Sequence, residues 1–402
     1  MARVLVVAVV LATLCGLMPG ERRGAAQDET IRLEETFDDP NTGIFTEGSS
    51  ELDEYVYAYE EGKFVIAALA DDFQGELISQ VLLTLSDATI AVDARPRGEV
   101  TGRHLVVGCR GLDADTGYEL EVNTDFETVT LWRGEGAAQT EIAGPLLARS
   151  IRGLDHTNRI ELSCTGSTIT ASINGDEVVS VEDERFEDGL PYVGAGLYGS
   201  SSGPFEAIFD NLVVTAPSPA GTREARAMAN LAAEARAEPS IFGPEAGEIE
   251  LTTNDALDTS AFANANARDF YLTVAFTNPY PAAAHPWDIG IAFRGAGNAD
   301  HYRLVIDSHR RWYLVLGTEE LLVAGLVVDL DLDDGGVNEV ELAARGDVGY
   351  LAVNGSFVTA LDLSERDDPG DVWVSAGFFP EDVRRSGEMT PYDGFEIWEL
   401  VS

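Results

Sequence analysis

Positive charge is scarce in this sequence. Lysine occurs once in 402 residues, as Lys63, and 26 basic residues stand against 70 acidic ones, which leaves a net charge of −44. Binding to nucleic acids or to anionic membranes requires clustered lysine and arginine, so the composition argues against both classes of partner. The acidic residues are spread along the whole chain, which is typical of a solvated surface rather than of one acidic functional patch.

Long apolar runs are lacking beyond the N-terminus. Residues 4–18 form a short apolar stretch after Arg3, and small residues follow at 24–26, which together predict a signal peptide over residues 1–26. No later segment approaches the roughly 18 apolar residues of a membrane span, so we expect a secreted or extracytoplasmic mature chain without a transmembrane segment. Lipid attachment at Cys15, or retention of the signal segment as an anchor, is the alternative.

Common catalytic motifs are missing as well. The sequence contains neither Gly-x-Ser-x-Gly nor a cysteine–histidine pairing suited to nucleophilic catalysis, and its five histidines show no metal-ligand spacing. Cys109 and Cys164 remain after removal of the signal peptide. An even number of cysteines in an oxidising compartment indicates either a disulfide or two buried thiols.

The chain consists largely of short alternating segments separated by turns rich in Gly, Asn and Asp. Segments such as 64–69, 118–123 and 372–379 have the β-branched and aromatic residues of strands, and their number and spacing predict β-sandwiches. The segment after Thr222 is instead rich in Ala, Arg and Glu, which predicts a short solvated helix capped by Thr222 within a semi-rigid linker. We therefore expect a first sandwich over 27–216, a linker over 217–247 and a second sandwich over 248–402.

An internal repeat supports this division. Residues 158–175 and 338–355 both contain an Asn, an alternating strand, a Gly turn, a second strand and a closing Asn-Gly. In each copy the first Asn, the turn Gly and the closing Asn follow one another at steps of 8 positions. Colinear matches extend the repeat to Arg110 and Arg294 and to the last strand of each copy. Agreement of this extent indicates two copies of one β-rich module.

The repeat also bears on the two cysteines. Cys109 aligns with Phe293, and Cys164 aligns with Ala344. A large and a small apolar residue in place of two cysteines fit two inward-facing positions that are close in space. We therefore predict a disulfide between Cys109 and Cys164.

The order strand-Cys-Arg, Tyr-strand, Asn-x-Ile-x-Leu-x-Cys-x-Gly (158–166), Gly-x-Gly (194–196) and Phe-Asp-Asn-Leu (209–212) resembles the concanavalin A-like lectin/glucanase superfamily. The greatest similarity is to bacterial extracytoplasmic modules described as laminin-G-like or 3-keto-disaccharide hydrolase-like. The resemblance covers nearly all of both copies and implies an all-β protein of two tandem jelly-roll sandwiches. It implies no single activity, because this fold hosts enzymes, lectins and adhesion modules.

Four carboxylates are candidate catalytic residues. Glucanases of this fold have the sequence pattern Glu-apolar-Asp-apolar-(apolar)-Glu. Strand alternation puts its carboxylates on one face, where two of them act as the nucleophile and the acid/base. Glu51 and Asp53 begin this pattern, but the residues after them break it. Glu119 and Glu121 share a strand face and are not repeated in the second copy. A solvated surface position is the favoured interpretation for each of the four.

Binding residues are predicted from aromatic and acidic side chains near strand ends. Trp287 and Tyr392 follow prolines near loops and are the aromatics best placed to stack on a sugar. The resemblance implies a structural Ca²⁺ between the first and last strands of a sandwich, with Asp38 and Asp210 as ligands, and an Asp-Asn turn at a strand edge is equally compatible. No other cofactor is expected.

These observations favour an exported, non-catalytic, lectin-like binding protein. Its expected partner is an extracellular polysaccharide, a cell-surface glycan or another cell-surface molecule. A glycoside hydrolase of the same fold is the first alternative, and a structural or adhesion module without a small ligand is the second.

Overall fold

The structure is a computed structural model that describes residues 30–50, 54–98, 101–113, 115–153, 155–197, 201–251, 258–296, 300–317, 320–378 and 387–400. The predicted signal peptide and the candidates Glu51 and Asp53 lie outside these residues. The strands and the helix are, in chain order, β1 (Thr30–Glu35), β2 (Gly48–Ser49), β3 (Tyr55–Glu60), β4 (Lys63–Ala68), β5 (Gly75–Gln80), β6 (Ala88–Arg97), β7 (Arg103–Asp113), β8 (Thr116–Asn123), β9 (Thr128–Glu135), β10 (Ala138–Leu147), β11 (Asn158–Thr165), β12 (Thr168–Ile173), β13 (Asp176–Glu182), β14 (Leu190–Leu197), β15 (Phe205–Pro217), α1 (Arg223–Ala235), β16 (Phe242–Glu250), β17 (Asp258–Phe262), β18 (Phe270–Thr277), β19 (Trp287–Gly295), β20 (Tyr302–Asp307), β21 (Arg311–Leu316), β22 (Glu320–Leu326), β23 (Val337–Arg345), β24 (Val348–Val353), β25 (Ser356–Asp362), β26 (Asp371–Phe378) and β27 (Met389–Glu399).

The strands form four antiparallel sheets, two in each module. Module 1 (β1–β15) contains sheet A1, in the order β13-β12-β11-β6-β15-β4-β3-β2 with β1 on β15, and sheet B1, in the order β10-β9-β8-β7-β14-β5. Module 2 (β16–β27) contains sheet A2, in the order β25-β24-β23-β18-β27-β16, and sheet B2, in the order β22-β21-β20-β19-β26-β17. The strand order is the same in both modules, apart from the additional β2–β4 of module 1. The predicted architecture of two tandem jelly-roll sandwiches is confirmed.

Strand alternation separates a core face from an outer face in each sheet. On β8, the side chains of Tyr118, Leu120 and Val122 are fully buried in the core of module 1, while Glu119 and Glu121 lie on the opposite face. Each inward side chain of this size contributes about 1.5–3 kcal/mol through burial. Module 2 has a separate core of the same kind. The alternation therefore fixes which side chains of sheet B1 are available for function.

The two cysteines lie in opposite sheets of module 1. Cys109 on β7 and Cys164 on β11 form a disulfide, with their Cα atoms 6.6 Å apart. The aligned residues of module 2, Phe293 and Ala344, are both fully buried in its core. The covalent link between the sheets of module 1 is thus replaced by apolar packing in module 2.

The repeated arginines hold the repeated hairpins. Arg110 donates hydrogen bonds to three backbone carbonyls, including that of Gly166 at 2.8 Å. Arg294 makes the equivalent bond to the carbonyl of Gly346 at 2.6 Å, and it too bonds further carbonyls. Both guanidinium groups are buried, and each satisfies several carbonyl groups that loops leave without strand partners. The bond from the repeated arginine to the turn glycine of the repeated hairpin is therefore a structural feature that both sandwiches share.

The repeated asparagines close the same hairpins. The side chain of Asn174 donates to Asn158 Oδ1 at 2.8 Å, and that of Asn354 donates to Asn338 Oδ1 at 3.0 Å. The second asparagine of each pair also accepts a hydrogen bond from the backbone N–H that follows the first. These bonds connect the two ends of each hairpin, which explains why the spacing is kept in both copies.

Helix α1 is not a solvated linker helix. Thr222 caps it as predicted, with its hydroxyl accepting a hydrogen bond from Ala225 N. However, the stripe that contains Leu231 is buried and packs with Tyr271 and Trp398 on the outer face of sheet A2. Small alanines let the helix approach the sheet closely, so a stripe that looks weakly apolar in sequence still buries a face. Strand β16 also begins at Phe242, within the segment predicted as linker.

The modules contact each other through the loop that follows β1. Asn41 Nδ2 donates to the carbonyl oxygen of Ala283 at 3.1 Å, and Arg311 Nη2 donates to that of Ile44 at 3.2 Å. Leu326 of module 2 packs against the core of module 1. No helix in the described part of the chain has the length and apolarity of a membrane span.

Candidate functional site

Four ionisable side chains converge on the outer face of sheet B1. Glu119 and Glu121 lie on β8, His104 lies on β7, and Glu76 lies on the edge strand β5. Strand β14 runs between β7 and β5, and its Gly196 is the cross-strand neighbour of both His104 and Glu76. We call these four residues the Glu/His cluster. Three separate strands contribute to it.

Two glycines make room for the cluster. A Cβ atom on Gly196 would lie 2.4 Å from Glu76 Cγ and 2.9 Å from His104 Nε2, so the side chains meet across bare backbone. A Cβ atom on Gly108 would lie 1.9 Å from the ring of Tyr192, which covers β7 next to Glu119. The side chains of Tyr192, Glu76 and His104 therefore lie along this face of the sheet, in the space that the two glycines leave.

The cluster is tightly packed and largely buried. His104 Nε2 lies 2.7 Å from Glu76 Oε1, and the ligand-type atoms of Glu76, His104 and Glu121 all lie within 4.8 Å of one another. His104 is 2% exposed and Glu119 is 8% exposed, whereas the side chain of Glu76 is 26% exposed. Access from solvent is thus from the Glu76 side.

Burial and mutual repulsion shift the carboxyl groups toward their neutral forms. Burial raises the pKa of Glu119 well above its usual range, and the charges of Glu76 and Glu121 raise it further, against a small opposing effect of the Tyr192 hydroxyl. Burial also raises the pKa of Glu121, and the charge of His104 and the indole N–H of Trp132 only partly offset it. The carboxyl groups therefore cannot all ionise at low cost.

The pKa of His104 is raised, whereas burial alone lowers the pKa of a histidine. Burial alone lowers the pKa of an imidazole, but the hydrogen bond to Glu76 and the charges of Glu76 and Glu121 outweigh it and raise the pKa of His104. The neighbouring acidic side chains therefore favour the protonated, imidazolium form of His104.

No strongly basic side chain neutralises the cluster. Among the described residues, neither lysine nor arginine forms an ion pair with Glu76, Glu119 or Glu121. Glu119 Oε1 is buried and accepts no hydrogen bond from an N–H or hydroxyl group in the same part of the chain, so its only polar neighbour of this kind is the Glu76 carboxyl. Three carboxyls with one imidazole can share protons, accept hydrogen bonds from hydroxyl groups, or coordinate a cation. Such an arrangement is costly to keep without a function.

Trp132 adds an aromatic surface to this face. It lies on β9 opposite Glu119 and is half-buried. Trp132 lies 14 residues after Tyr118, and the same spacing from Tyr302 predicts Leu316 as its counterpart. Strand pairing shows instead that the counterpart is Val315, which faces Arg303. The β20–β21 loop has one residue fewer than the β8–β9 loop, so equal spacing from the tyrosine gives the wrong face. The tryptophan is specific to module 1.

The structure places the predicted sugar-stacking residues in the core. Trp287 is 0% exposed and Tyr392 is 5% exposed, and both belong to the buried cluster of module 2. Prolines before both residues suggested loops, but β19 begins at Trp287 itself and β27 includes Tyr392. Neither ring is available to stack on a sugar, and this prediction is corrected.

The predicted calcium ligands have other partners. Asp210 Oδ2 accepts a hydrogen bond from Lys63 Nζ at 2.6 Å, and its Oδ1 accepts one from Asn211 N at 2.9 Å. Asp38 lies against the backbone of Gly62 in the adjacent turn. The ammonium group of Lys63 thus binds the carboxylate oxygen of Asp210 that a calcium ion would need as a ligand. The residues present do not favour calcium at this place, and the calcium site stays an untested prediction.

Sequence reasoning selected Glu119 and Glu121 but missed Glu76, His104 and Tyr192. The missed residues lie on β5, β7 and β14, which are neighbours in the sheet although they are far apart in the sequence. Because these side chains come from several strands, their spacing in the sequence forms no recognisable motif. The sequence pattern that could have indicated part of the cluster is the alternation of β7 and β8, which puts His104, Glu119 and Glu121 on one face.

No protein-family model and no curated protein matches this chain. A carbohydrate-binding module from Bacillus subtilis is 14% identical over 45% of this chain and 94% of its own length, with a TM-score of 0.31. A β-glucanase from Bacillus licheniformis is 14% identical over 46% of this chain and 97% of its own length, with a TM-score of 0.34. The catalytic domain of an endo-1,3-β-glucanase (laminarinase) from Thermotoga petrophila is 15% identical over 46% of this chain and 96% of its own length, with a TM-score of 0.33. Similarity at this level assigns no activity, which has to be inferred from the site.

Proposed function

We propose that the outer face of sheet B1 is the ligand-binding face of this protein and that its ligand is an extracellular glycan. The observation that carries this proposal is the Glu/His cluster, which lies beside Trp132 on this face. Carboxylates and imidazole form hydrogen bonds with sugar hydroxyls, and an indole ring packs on the apolar face of a sugar. The resemblance to lectins and glucanases favours the same ligand class.

An exported location fits this ligand. The disulfide between Cys109 and Cys164 supports an oxidising, extracytoplasmic compartment, where polysaccharides and cell-surface glycans are found. The strongly negative net charge further favours an uncharged or cationic glycan over a polyanionic one, because a polyanion would be repelled.

Glycan binding is tested with the whole mature chain. Retention on insoluble polysaccharides and titration calorimetry with soluble ones give the affinity for a panel of neutral and cationic glycans. Trp132→Ala is expected to weaken binding about tenfold or more, because it removes the stacking surface beside the Glu/His cluster. Val315→Ala removes the equivalent side chain of module 2 and is expected to leave binding unchanged. Equal binding by the wild type and Trp132→Ala, or no binding to any member of the panel, would contradict the proposal.

Glycoside cleavage is the second candidate function, and the close approach of carboxyl groups favours it. One oxygen of Glu76 and one of Glu121 lie within 4.8 Å of each other. Retaining glycosidases keep their two carboxyls about 5–5.5 Å apart, whereas inverting enzymes leave about 6.5–9.5 Å for a water molecule. Cleavage at this site is therefore expected to retain the anomeric configuration.

Reducing-sugar release from the same panel separates an enzyme from a lectin. Glu121→Gln and Glu76→Gln are both expected to abolish release, and nuclear magnetic resonance of the first product gives its anomeric form. Release that survives both substitutions would remove these carboxyls from the mechanism. Binding without release leaves the lectin function standing, and neither binding nor release would favour a structural or adhesion role.

A further inference from the structure

We infer that the Glu/His cluster is a binding site for one divalent transition-metal cation, with Glu76, His104 and Glu121 as ligands and Glu119 beside them. This inference goes beyond the proposed glycan binding. It concerns an ion rather than a sugar, and it is tested without any glycan. Failure of either proposal therefore leaves the other untouched.

The donor geometry is close to that of a metal site. The ligand-type atoms of Glu76, His104 and Glu121 lie within 4.8 Å of one another. Ligands at about 2.0–2.2 Å from a tetrahedral ion are about 3.4 Å apart, so small side-chain rotations bring the three atoms into range. His104 Nε2 and Glu76 Oε1 are already 2.7 Å apart. The proton between them occupies the place that the cation would take.

A second, independent feature points to a missing positive charge. Glu119 is more than nine-tenths buried, and its Oε1 accepts no hydrogen bond from an N–H or hydroxyl group of the described residues. Its carboxyl instead faces those of Glu76 and Glu121, and with Glu76 it can form a hydrogen bond only by sharing a proton. No lysine or arginine in this part of the chain pairs with any of the three. A divalent cation supplies the charge that would let the carboxylates ionise together.

The ligand types select the class of ion. One imidazole with two or three carboxylates suits Zn²⁺ or Mn²⁺, whereas Ca²⁺ and Mg²⁺ favour oxygen ligands alone. Tyr192 supports the site from behind, because its hydroxyl lies 3.4 Å from Glu119 Oε2 and 3.3 Å from the carbonyl oxygen of Tyr118. The partial exposure of Glu76 gives an ion a path from solvent.

The experiment uses the untagged mature chain after removal of metals with EDTA. Titration calorimetry with ZnCl₂ and with MnCl₂ gives affinity and stoichiometry, and elemental analysis after gel filtration gives the bound ion directly. We expect one ion per chain for at least one of the two metals. His104→Gln and Glu121→Gln are each expected to weaken binding about tenfold or more. His156→Gln, which alters an exposed histidine outside the cluster, is the matched control and is expected to bind like the wild type.

Folding of the variants is checked by thermal melting without metal. Glu76→Gln serves as a further variant, because Glu76 lies on an edge strand and its substitution leaves the core intact. Wild-type protein is also expected to melt at a higher temperature in the presence of the ion that it binds, since an ion bound only by the folded state stabilises that state. This measurement does not depend on any variant.

Two outcomes would overturn the inference. The first is a wild-type chain that shows no stoichiometric binding of either ion with a dissociation constant below about 100 µM. The second is stoichiometric binding that His104→Gln, Glu121→Gln and Glu76→Gln all retain, or that His156→Gln abolishes, since either result would place the ion elsewhere on the surface.

Discussion

The outer faces of sheets B1 and B2 differ although the two sheets have the same strand order. Strand pairing makes Asp288 the counterpart of His104, Arg303 the counterpart of Glu119 and Val305 that of Glu121. A cation and an apolar residue thus stand where module 1 has two carboxyls. The dense acidic cluster is a property of module 1 and not of the fold.

The face of sheet B2 has a different use at one end. Arg311, next to this face on β21, donates a hydrogen bond to the carbonyl oxygen of Ile44 in module 1. Asp307 accepts hydrogen bonds from the backbone of the same turn and from Tyr313. The outer face of sheet B2 therefore contributes to the contact between the modules, whereas that of sheet B1 presents the Glu/His cluster.

The largest predicted effect tests what the modules share. Arg110→Ala and Arg294→Ala each remove a buried guanidinium that satisfies several backbone carbonyls. We expect each to lower the free energy of unfolding of its own module by about 3–5 kcal/mol. Denaturant unfolding, followed by hydrogen exchange in each module, measures the effect. A large loss in one module and none in the other would show that the two arginines are not equivalent.

The disulfide tests a difference between the cores. Cys109→Ala combined with Cys164→Ala opens a loop of 55 residues in module 1. We expect a loss of about 2–4 kcal/mol, because the unfolded chain gains conformational freedom. Reduction with dithiothreitol should shift the same transition and leave that of module 2, where Phe293 packs instead, unchanged. An equal shift of both transitions would show that the modules unfold as one unit.

The pH dependence of stability should differ between the modules when EDTA is present. The folded state raises the pKa of Glu119, Glu121 and His104 above their unfolded values. The stability linked to these groups is therefore present at low pH and is lost as pH rises through their folded pKa values. Module 1 should lose at least about 1.4 kcal/mol, the equivalent of one pKa unit, between about pH 5 and pH 9.

Other ionisable groups face the cluster and belong in this comparison. Glu76 on β5 and Tyr192 on β14 contact it from the neighbouring strands, and the pKa of Tyr192 is raised by burial and by Glu119. Glu119→Gln should flatten the pH profile of module 1, and addition of the bound ion should reduce its slope. A profile that rises with pH over the same range would contradict the assignment.

The fold and the core of the repeat were predictable because their signals are local or colinear. The Asn-Gly hairpins keep their spacing, so one copy sets the register of the other, and the pairing of Cys109 with Cys164 followed from Phe293 and Ala344. The positions of Trp287 and Tyr392 were predicted wrongly because a proline before a residue indicates a turn whether or not that residue starts a buried strand.

The site was predictable only in part. Alternation puts Glu119 and Glu121 on one face, but nothing in the sequence shows that β14 lies between β5 and β7. Without that order, Glu76 and His104 cannot be placed together. The role of Gly196 is hidden for the same reason, since it depends on side chains from both neighbouring strands.

The smallest predicted effect concerns which module the helix stabilises. Helix α1 follows module 1 in sequence but packs on sheet A2, with Thr222 as its N-terminal cap. Thr222→Ala should lower the free energy of unfolding of module 2 by about 1 kcal/mol and leave module 1 unchanged. Arg223→Ala, at an exposed position of the same helix, is the control and should have little effect. A loss of stability confined to module 1 would show that the helix stabilises the first sandwich. A loss confined to module 2 would show that helix α1 stabilises module 2 by covering the outer face of sheet A2, and that module 1 does not depend on the helix.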